Sequence, residues 1–193
     1  MNIPRKKGHL VIISSPSGGG KDSVINALLK IFPDSSRLIT TTSRTPRPDQ
    51  KGGIDYFFIT PEEFKEKIKN SELVEHNFYA GNYYGVEKEK LNQALGKYEL
   101  VFTQIEVSGK NSFDKAKIPH LSIFLLPENL EILKKRIEKR GGIEPNKIKE
   151  RLKTAEKEIG KSDIYDYKLV NYEGRLDETI EKVAKIIKNY LKY

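Results

Sequence analysis

The stretch that most constrains this chain is Ser15-Pro16-Ser17-Gly18-Gly19-Gly20-Lys21-Asp22, which follows the apolar run Leu10-Val11-Ile12-Ile13. Behind it Val24, Ile25, Leu28, Leu29, Ile31 and Phe32 recur at helical spacing. The pattern predicts strand, glycine loop, helix. Consecutive glycines let the backbone curl so that N–H groups point inward, and Lys21 adds a positive charge. Such a concavity at a helix N-terminus binds phosphate. The general phosphate-loop pattern is G-x-x-x-x-G-K-[ST]. Gly20 and Lys21 fit it, but Ser15 stands where the first glycine belongs. Asp22 stands where a magnesium-binding hydroxyl belongs, with a hydroxyl one place later at Ser23. Without its context the stretch also reads as a strand-to-helix turn with a solvated lysine.

Composition narrows the class. The 193 residues are 37% hydrophobic and 32% charged, as in a folded globular protein. No run of about 18 apolar residues exists, which predicts no membrane span. The polar, basic start and the short apolar run after it do not read as a secretory leader. With no cysteine there is no disulfide framework. These features predict a cytoplasmic location. The net charge of +8 suits either nucleic acid or small anions. The lysines are dispersed among glutamates on helix faces, as at Lys65, Lys67 and Lys69, so no nucleic-acid partner is expected.

Further along, Arg37 to Arg47 reads as a strand ending in a basic loop. Arg44 and Arg47 lie three residues apart around Pro46, and guanidinium forks suit phosphate. As a local pattern it reads first as a strand with a solvated turn, and the phosphate reading gains from the glycine loop that precedes it. Asp55-Tyr56-Phe57-Phe58-Ile59 is a second strand, and Thr60-Pro61-Glu62-Glu63 is a helix start. Leu73 to Tyr79 is a strand carrying Glu75, and Ala80-Gly81-Asn82 turns the chain into Tyr83-Tyr84-Gly85-Val86. A helix follows near 87–96. Leu100 to Val107 and Leu121 to Leu126 read as buried strands. Two helices joined at Gly141-Gly142 carry Arg136, Arg140 and Arg151; they read as a lid or as two amphipathic surface helices. A short strand over Tyr167–Asn171 precedes a closing helix with Leu176, Ile180, Val183, Ala184, Ile187 and Leu191 on one face. Buried strands alternating with helices predict an α/β fold with a parallel sheet covered on both faces. The three histidines show no ligand spacing.

In this order the parts resemble a guanylate kinase over nearly the whole chain. The resemblance rests on Thr41-Thr42-Ser43-Arg44-Thr45-Pro46-Arg47, on Asp55-Tyr56-Phe57-Phe58, and on Gly81-Asn82-Tyr83-Tyr84-Gly85. The lid arginines and Tyr165-Asp166-Tyr167 with Asn171 add to it. It implies one P-loop-kinase-type domain. The core would span about 8–36, 97–126 and 161–193, an inserted β-rich GMP-binding lobe about 37–96, and a helical lid about 127–160. It implies transfer of the γ-phosphoryl of Mg-ATP to GMP, and to dGMP, by a monomer or homodimer.

By the same resemblance Ser15, Pro16, Ser17, Gly18, Gly19, Gly20, Lys21, Asp22 and Ser23 would cradle ATP, and Asn171 would contact adenine. Thr40, Arg44, Arg47, Tyr56, Glu75, Tyr84, Val86 and Gln104 would line the GMP site. Lys21, Arg44, Arg136, Arg140 and Arg151 would act on the transferring group, with Asp22 and Ser23 toward Mg2+. Val86 and Gln104 depart from the family's hydroxyl and carboxylate, which implies weaker or less selective GMP binding. Two alternatives share these residues: a catalytically impaired module that binds phosphorylated ligands or proteins, and a kinase with another phosphorylated acceptor.

Overall fold

A computed structural model describes residues 8–48, 50–79, 81–139 and 145–192, with the side chains of 79, 145 and 146 excepted. In chain order the elements are β1 (His9–Ser14), α1 (Lys21–Ile31), β2 (Ser35–Arg37), β3 (Thr41–Thr42) and β4 (Phe57–Phe58). Then come α2 (Pro61–Lys69), β5 (Leu73–Tyr79), β6 (Asn82–Glu87), α3 (Lys88–Lys97), β7 (Leu100–Thr103) and α4 (Val107–Lys115). The chain closes with β8 (Leu121–Pro127), α5 (Leu130–Lys139), α6 (Pro145–Gly160), β9 (Tyr167–Asn171) and α7 (Leu176–Tyr190).

The expected parallel sheet is present, with strand order β2-β7-β1-β8-β9. Leu10 to Ile13 and Leu121 to Leu125 are buried along their whole length. An uninterrupted apolar run is what a strand covered on both faces requires. By internal contacts the chain divides into two compact units.

The first unit holds the start of β1, residues 34–103 and residues 108–119. It carries the four-stranded sheet β4-β3-β6-β5, in which β6 is antiparallel to both β3 and β5. Thr60 starts α2 as its pattern predicts. Its hydroxyl accepts from the Glu63 N–H at 3.1 Å, and the Glu63 carboxylate accepts from the Thr60 N–H at 2.7 Å. Phe64, Phe102 and Phe113 are fully buried here. A polar chain leads from this interior to the surface. Thr41 donates to Glu87, Glu87 pairs with Lys67 at 2.9 Å, and Lys67 pairs with Glu72 at 3.0 Å. Glu87 is held below the usual carboxylate range: burial pushes it up, and the bonds from Thr41 and Lys67 more than offset that.

The second unit holds residues 11–33, 104–107 and those from 120 onward. Here α1 packs against α7 and α5 against α6. The α5–α6 contact is a small core of Leu133, Ile137 and Ala155, flanked by Leu130, Ile148 and Leu152. The predicted strands are shortened in three places. Of the 37–47 stretch only Arg37, at the end of β2, and Thr41–Thr42 pair as strand, and of the 55–59 stretch only Phe57–Phe58. The Leu100–Val107 strand ends at Thr103, and Val107 begins α4. Ile105 and Val107 are buried, Ile105 in the connection and Val107 at the start of α4, and the Ser14 hydroxyl donates to the Ile105 carbonyl at 2.6 Å. Apolar residues of a buried connection have the same sequence signature as those of a strand. Arg140 and the Gly141-Gly142 hinge lie outside the described residues.

Candidate active site

The loop between β1 and α1 is shaped by what surrounds it in the second unit. Gly18 and Gly20 adopt φ of 89° and 91°, the left-handed region that glycine enters without penalty. A Cβ on Gly20 would lie 2.6 Å from Asn171 Nδ2, and one on Gly18 would lie 3.2 Å from the Leu133 and Ile137 side chains of α5. The loop is thus pressed between β9 on one side and α5 on the other. Gly20 precedes α1 with no side chain capping the helix. The first-turn N–H groups have no acceptor within the helix and carry its positive end, so they suit an anion. Lys21 and Asp22 stand half-buried in that turn, and Ser23 is exposed.

Ser15 is accommodated by Gly19. A Cβ on Gly19 would fall 2.6 Å from the Ser15 Cβ and 2.7 Å from its Oγ. The general pattern has a glycine at the first position and any residue four places later. This chain reverses the arrangement, with a side chain at 15 and none at 19. Ser15 donates to the Pro16 carbonyl at 3.1 Å, which also accepts from the Gly19 N–H at 2.8 Å.

Asn171 is buried at the end of β9, and both ends of its amide are used. Nδ2 donates to the Gly19 carbonyl at 3.0 Å, and Oδ1 accepts from Thr179 at 3.0 Å. Arg136 of α5 reaches the same place. Its Nη2 donates to the Asn171 carbonyl at 3.3 Å, while Nε and Nη2 pair with Glu173 at 2.7 and 2.6 Å. Arg151 is half-buried on α6. Glu158, near the end of α6, has its carboxyl pushed up to about 7. Burial is the main cause, the Glu106 charge adds to it, and Lys21 opposes it. Gln104 Oε1 is buried with no hydrogen-bond partner. Sequence reasoning missed Thr179, Glu173 and Glu158, which lie outside every recognised motif.

In the first unit the arginine loop meets two tyrosines. The Arg44 guanidinium sits 5.7 Å from the Tyr56 ring centroid, and Tyr56 meets Tyr84 edge-on at 6.1 Å. Gln50, also missed, clips the loop. Its Oε1 accepts from Arg44 Nη2 at 2.6 Å and from the Arg47 N–H at 3.3 Å. The Arg44 N–H donates to Thr42 Oγ1 at 3.1 Å, and Thr42 in turn donates to the Tyr83 carbonyl at 2.8 Å. Arg47 is exposed, and Thr40 fastens the neighbouring strand by accepting from the Phe57 N–H at 2.9 Å. Glu75 and Val86 are direct cross-strand partners, with Val86 only 1% exposed. Glu75 also borders a cavity of about 370 Å³ shared with His76, Lys88 and Ser112. Arg44, Tyr56 and Tyr84 therefore gather at one place, with Glu75 and Val86 on the adjoining strands.

Among the described residues no three acidic or histidine side chains group to hold a metal. One carboxylate and one hydroxyl in the first turn of α1 are too few for a resident ion. They suit Mg2+ delivered on nucleotide phosphates, which carries most of its own oxygen ligands.

Comparison with known proteins places the chain in a family. The guanylate kinase family model matches residues 7–190. A guanylate kinase of Prochlorococcus marinus subsp. pastoris is 42% identical over 181 residues, covering 93% of this chain and 97% of that protein. One of Oceanobacillus iheyensis is 38% identical, covering 96% and 89%. The crystal structure of guanylate kinase from Anaplasma phagocytophilum superposes with a TM-score of 0.73 at 29% identity, over 96% of this chain and 87% of that one. No helix among the described residues is long and apolar enough to cross a membrane. The chain belongs to the guanylate kinase family.

Proposed function

We propose that the protein transfers the γ-phosphoryl group of Mg-ATP to GMP and to dGMP, giving ADP and the nucleoside diphosphate. The observation that carries this reading is the Arg44–Tyr56–Tyr84 cluster. A cation backed by phenol rings suits a nucleotide phosphate, and the same chain holds a glycine loop formed for a second one. The GMP lobe, about residues 37–96, belongs to the first unit, with Arg44, Arg47, Tyr56 and Tyr84 on the phosphate, Glu75 on the base, and Thr40 and Val86 beside them; Gln104, of the second unit, completes the acceptor set. The second unit binds ATP through Ser15 to Ser23. Arg136, Arg140 and Arg151 neutralise charge on the transferring group.

The chemistry needs little more. An oxygen of the GMP phosphate is already anionic near neutral pH, so it attacks the γ-phosphorus without a dedicated base. The bond to the β–γ bridging oxygen breaks, and ADP leaves with that electron pair. The rate then depends on in-line alignment and on cations facing the equatorial oxygens. Asp22 and Ser23 are the residues that would hold Mg2+, which would supply further charge neutralisation there. Lys21 and the arginines orient the phosphates, and Asn171, beside adenine, also supports the loop backbone through its bond to the Gly19 carbonyl.

The experiment is turnover with Mg-ATP and a panel of GMP, dGMP, IMP, AMP, UMP and CMP, read as ADP release. Selective turnover of GMP and dGMP is expected. Turnover with none of them would leave a phosphate-binding module, a reading that the full-length match to named guanylate kinases does not favour. Preference for another monophosphate would overturn the acceptor assignment.

A further inference from the structure

Two residues outside every motif hold the donor half in shape. The Gly19 carbonyl can only accept, so the Asn171 amide must present its Nδ2 to it, at 3.0 Å. That choice leaves Oδ1 facing Thr179, whose hydroxyl donates to it at 3.0 Å, closer than its other acceptor, the Arg175 carbonyl at 3.4 Å. Asn171 and Thr179 are each 3% exposed, so water cannot replace either partner. A Cβ on Gly20 would strike the same Nδ2 at 2.6 Å, which shows how closely the amide lies under the loop.

The second contact begins on the helix that walls the other side of the loop. Leu133 and Ile137 of α5 face Gly18, and Arg136 lies between them in sequence. Its Nη2 returns to the Asn171 carbonyl at 3.3 Å. Glu173 takes the Nε and Nη2 edge at 2.7 and 2.6 Å. These bonds do not use Nη1, so the guanidinium is fixed by one edge while its Nη1 end stays available to an anion. Loop, β9, α5 and the first turn of α7 thus share one polar frame centred on Asn171.

We propose that Thr179 and Glu173 are positioning residues for the ATP half of the site: Thr179 through the Asn171 amide and the Gly19 carbonyl, Glu173 through the Arg136 guanidinium. The proposal rests on the reading of Ser15 to Ser23 as the ATP loop. Neither residue touches nucleotide. Both act by keeping the loop amides and Arg136 in register before ATP arrives, which lowers the ordering cost of binding.

The test is KM for ATP and for GMP, kcat, and equilibrium binding of a fluorescent ATP analogue, in Thr179→Val, Thr179→Ser, Glu173→Ala and Lys21→Met. Thr179→Val keeps shape and loses the donor. It is expected to raise KM for ATP about threefold to tenfold, the size of one buried hydrogen bond, with KM for GMP within about twofold. Thr179→Ser restores the parent values. Glu173→Ala is expected to lower kcat/KM for ATP about threefold, since the pair is partly exposed. Because Glu173 is on the surface, its variant remains informative if Thr179→Val does not fold.

If Lys21→Met loses the ATP analogue while Thr179→Val and Glu173→Ala bind it as the parent does, the loop reading stands and the positioning roles are wrong. Equal rises in both KM values would mark a merely structural role and overturn the proposal too. If Lys21→Met binds the analogue unchanged, the ATP loop itself is misassigned and the frame with it.

Discussion

The two phosphate-handling regions are held in shape by different means. The glycine loop of the second unit is fixed by steric contact: three of its glycines have a neighbour where a Cβ would go. The arginine loop of the first unit is fixed by single polar contacts, chiefly the Gln50 clip and the Tyr56 ring. A sterically framed loop has one shape and tolerates almost no side-chain change. A loop held by hydrogen bonds can exchange protein partners for ligand oxygens. Arg44 must release or share its bonds to Gln50 and to the Thr45 carbonyl to present its full fork to a phosphate, whereas the path of the glycine loop is already set by its neighbours.

The largest effect expected from this contrast is at Gly20. Alanine there must accept φ of 91° and displace the Asn171 amide at 2.6 Å. Because displacement of about 1 Å in a positioning element can cost about 100-fold in rate, kcat/KM for ATP should fall on the order of 100-fold. A loss below about threefold would show that the loop is not sterically framed. Second in size is Arg44→Ala, which removes a charge-assisted phosphate contact worth about 1.5–3 kcal/mol. KM for GMP should rise about tenfold to 100-fold, with KM for ATP nearly unchanged. An equal effect on both substrates would remove the distinction between the two regions.

The exchange of roles between Ser15 and Gly19 gives a sharper test of steric framing. Gly19→Ala alone puts a methyl 2.6 Å from the Ser15 Cβ. Overpacking of this kind costs about 1–3 kcal/mol, which corresponds to about a tenfold loss in ATP affinity if the loop must shift. Ser15→Gly alone should be mild. The double variant Ser15→Gly with Gly19→Ala should recover most of the loss, because the methyl then occupies the space that the serine vacated. A double-mutant cycle with no coupling would show that the two positions do not share that space.

Legibility in the sequence followed the same division. Strands buried on both faces, such as Leu10–Ile13 and Leu121–Leu126, announce themselves as apolar runs, and the α2 cap is written in Thr60-Pro61-Glu62-Glu63. The Leu100–Val107 run overstates its strand because Ile105 in a buried connection and Val107 at the start of α4 carry the apolar signature of a strand. Arg44, Tyr56 and Tyr84 could be singled out because they sit in compact motifs. Gln50, Glu173 and Thr179 could not. Their effect comes from hydrogen bonds to groups placed by the fold, and a lone Thr in a helix, or a lone Gln or Glu outside one, reads as solvated surface. The link between Asn171 and Gly19 spans 152 positions, beyond any local pattern.

The smallest predicted effect concerns the acid that faces the phosphate-loop lysine. Glu158 sits at about 7 because burial and the Glu106 charge disfavour its anion, and Lys21 only partly offsets them. In the unfolded chain its pKa is the ordinary 4.5. Between pH 4.5 and 7 the folded protein therefore binds more protons at this site than the unfolded chain does. Its contribution to stability is unfavourable above pH 7 and is relieved as pH falls toward 4.5. Glu158→Gln removes the ionisable group while keeping its shape. The variant should raise Tm at pH 8 and should raise it less, or not at all, at pH 5. Placing the same charge beside bound polyphosphate is also unfavourable, so at pH 8 the variant should bind the ATP analogue slightly more tightly than the parent. An equal change in Tm at both pH values would show that the carboxyl is not held neutral by its surroundings. A loss of ATP binding at pH 8 would instead show that the anion supports Lys21 rather than opposing the phosphates.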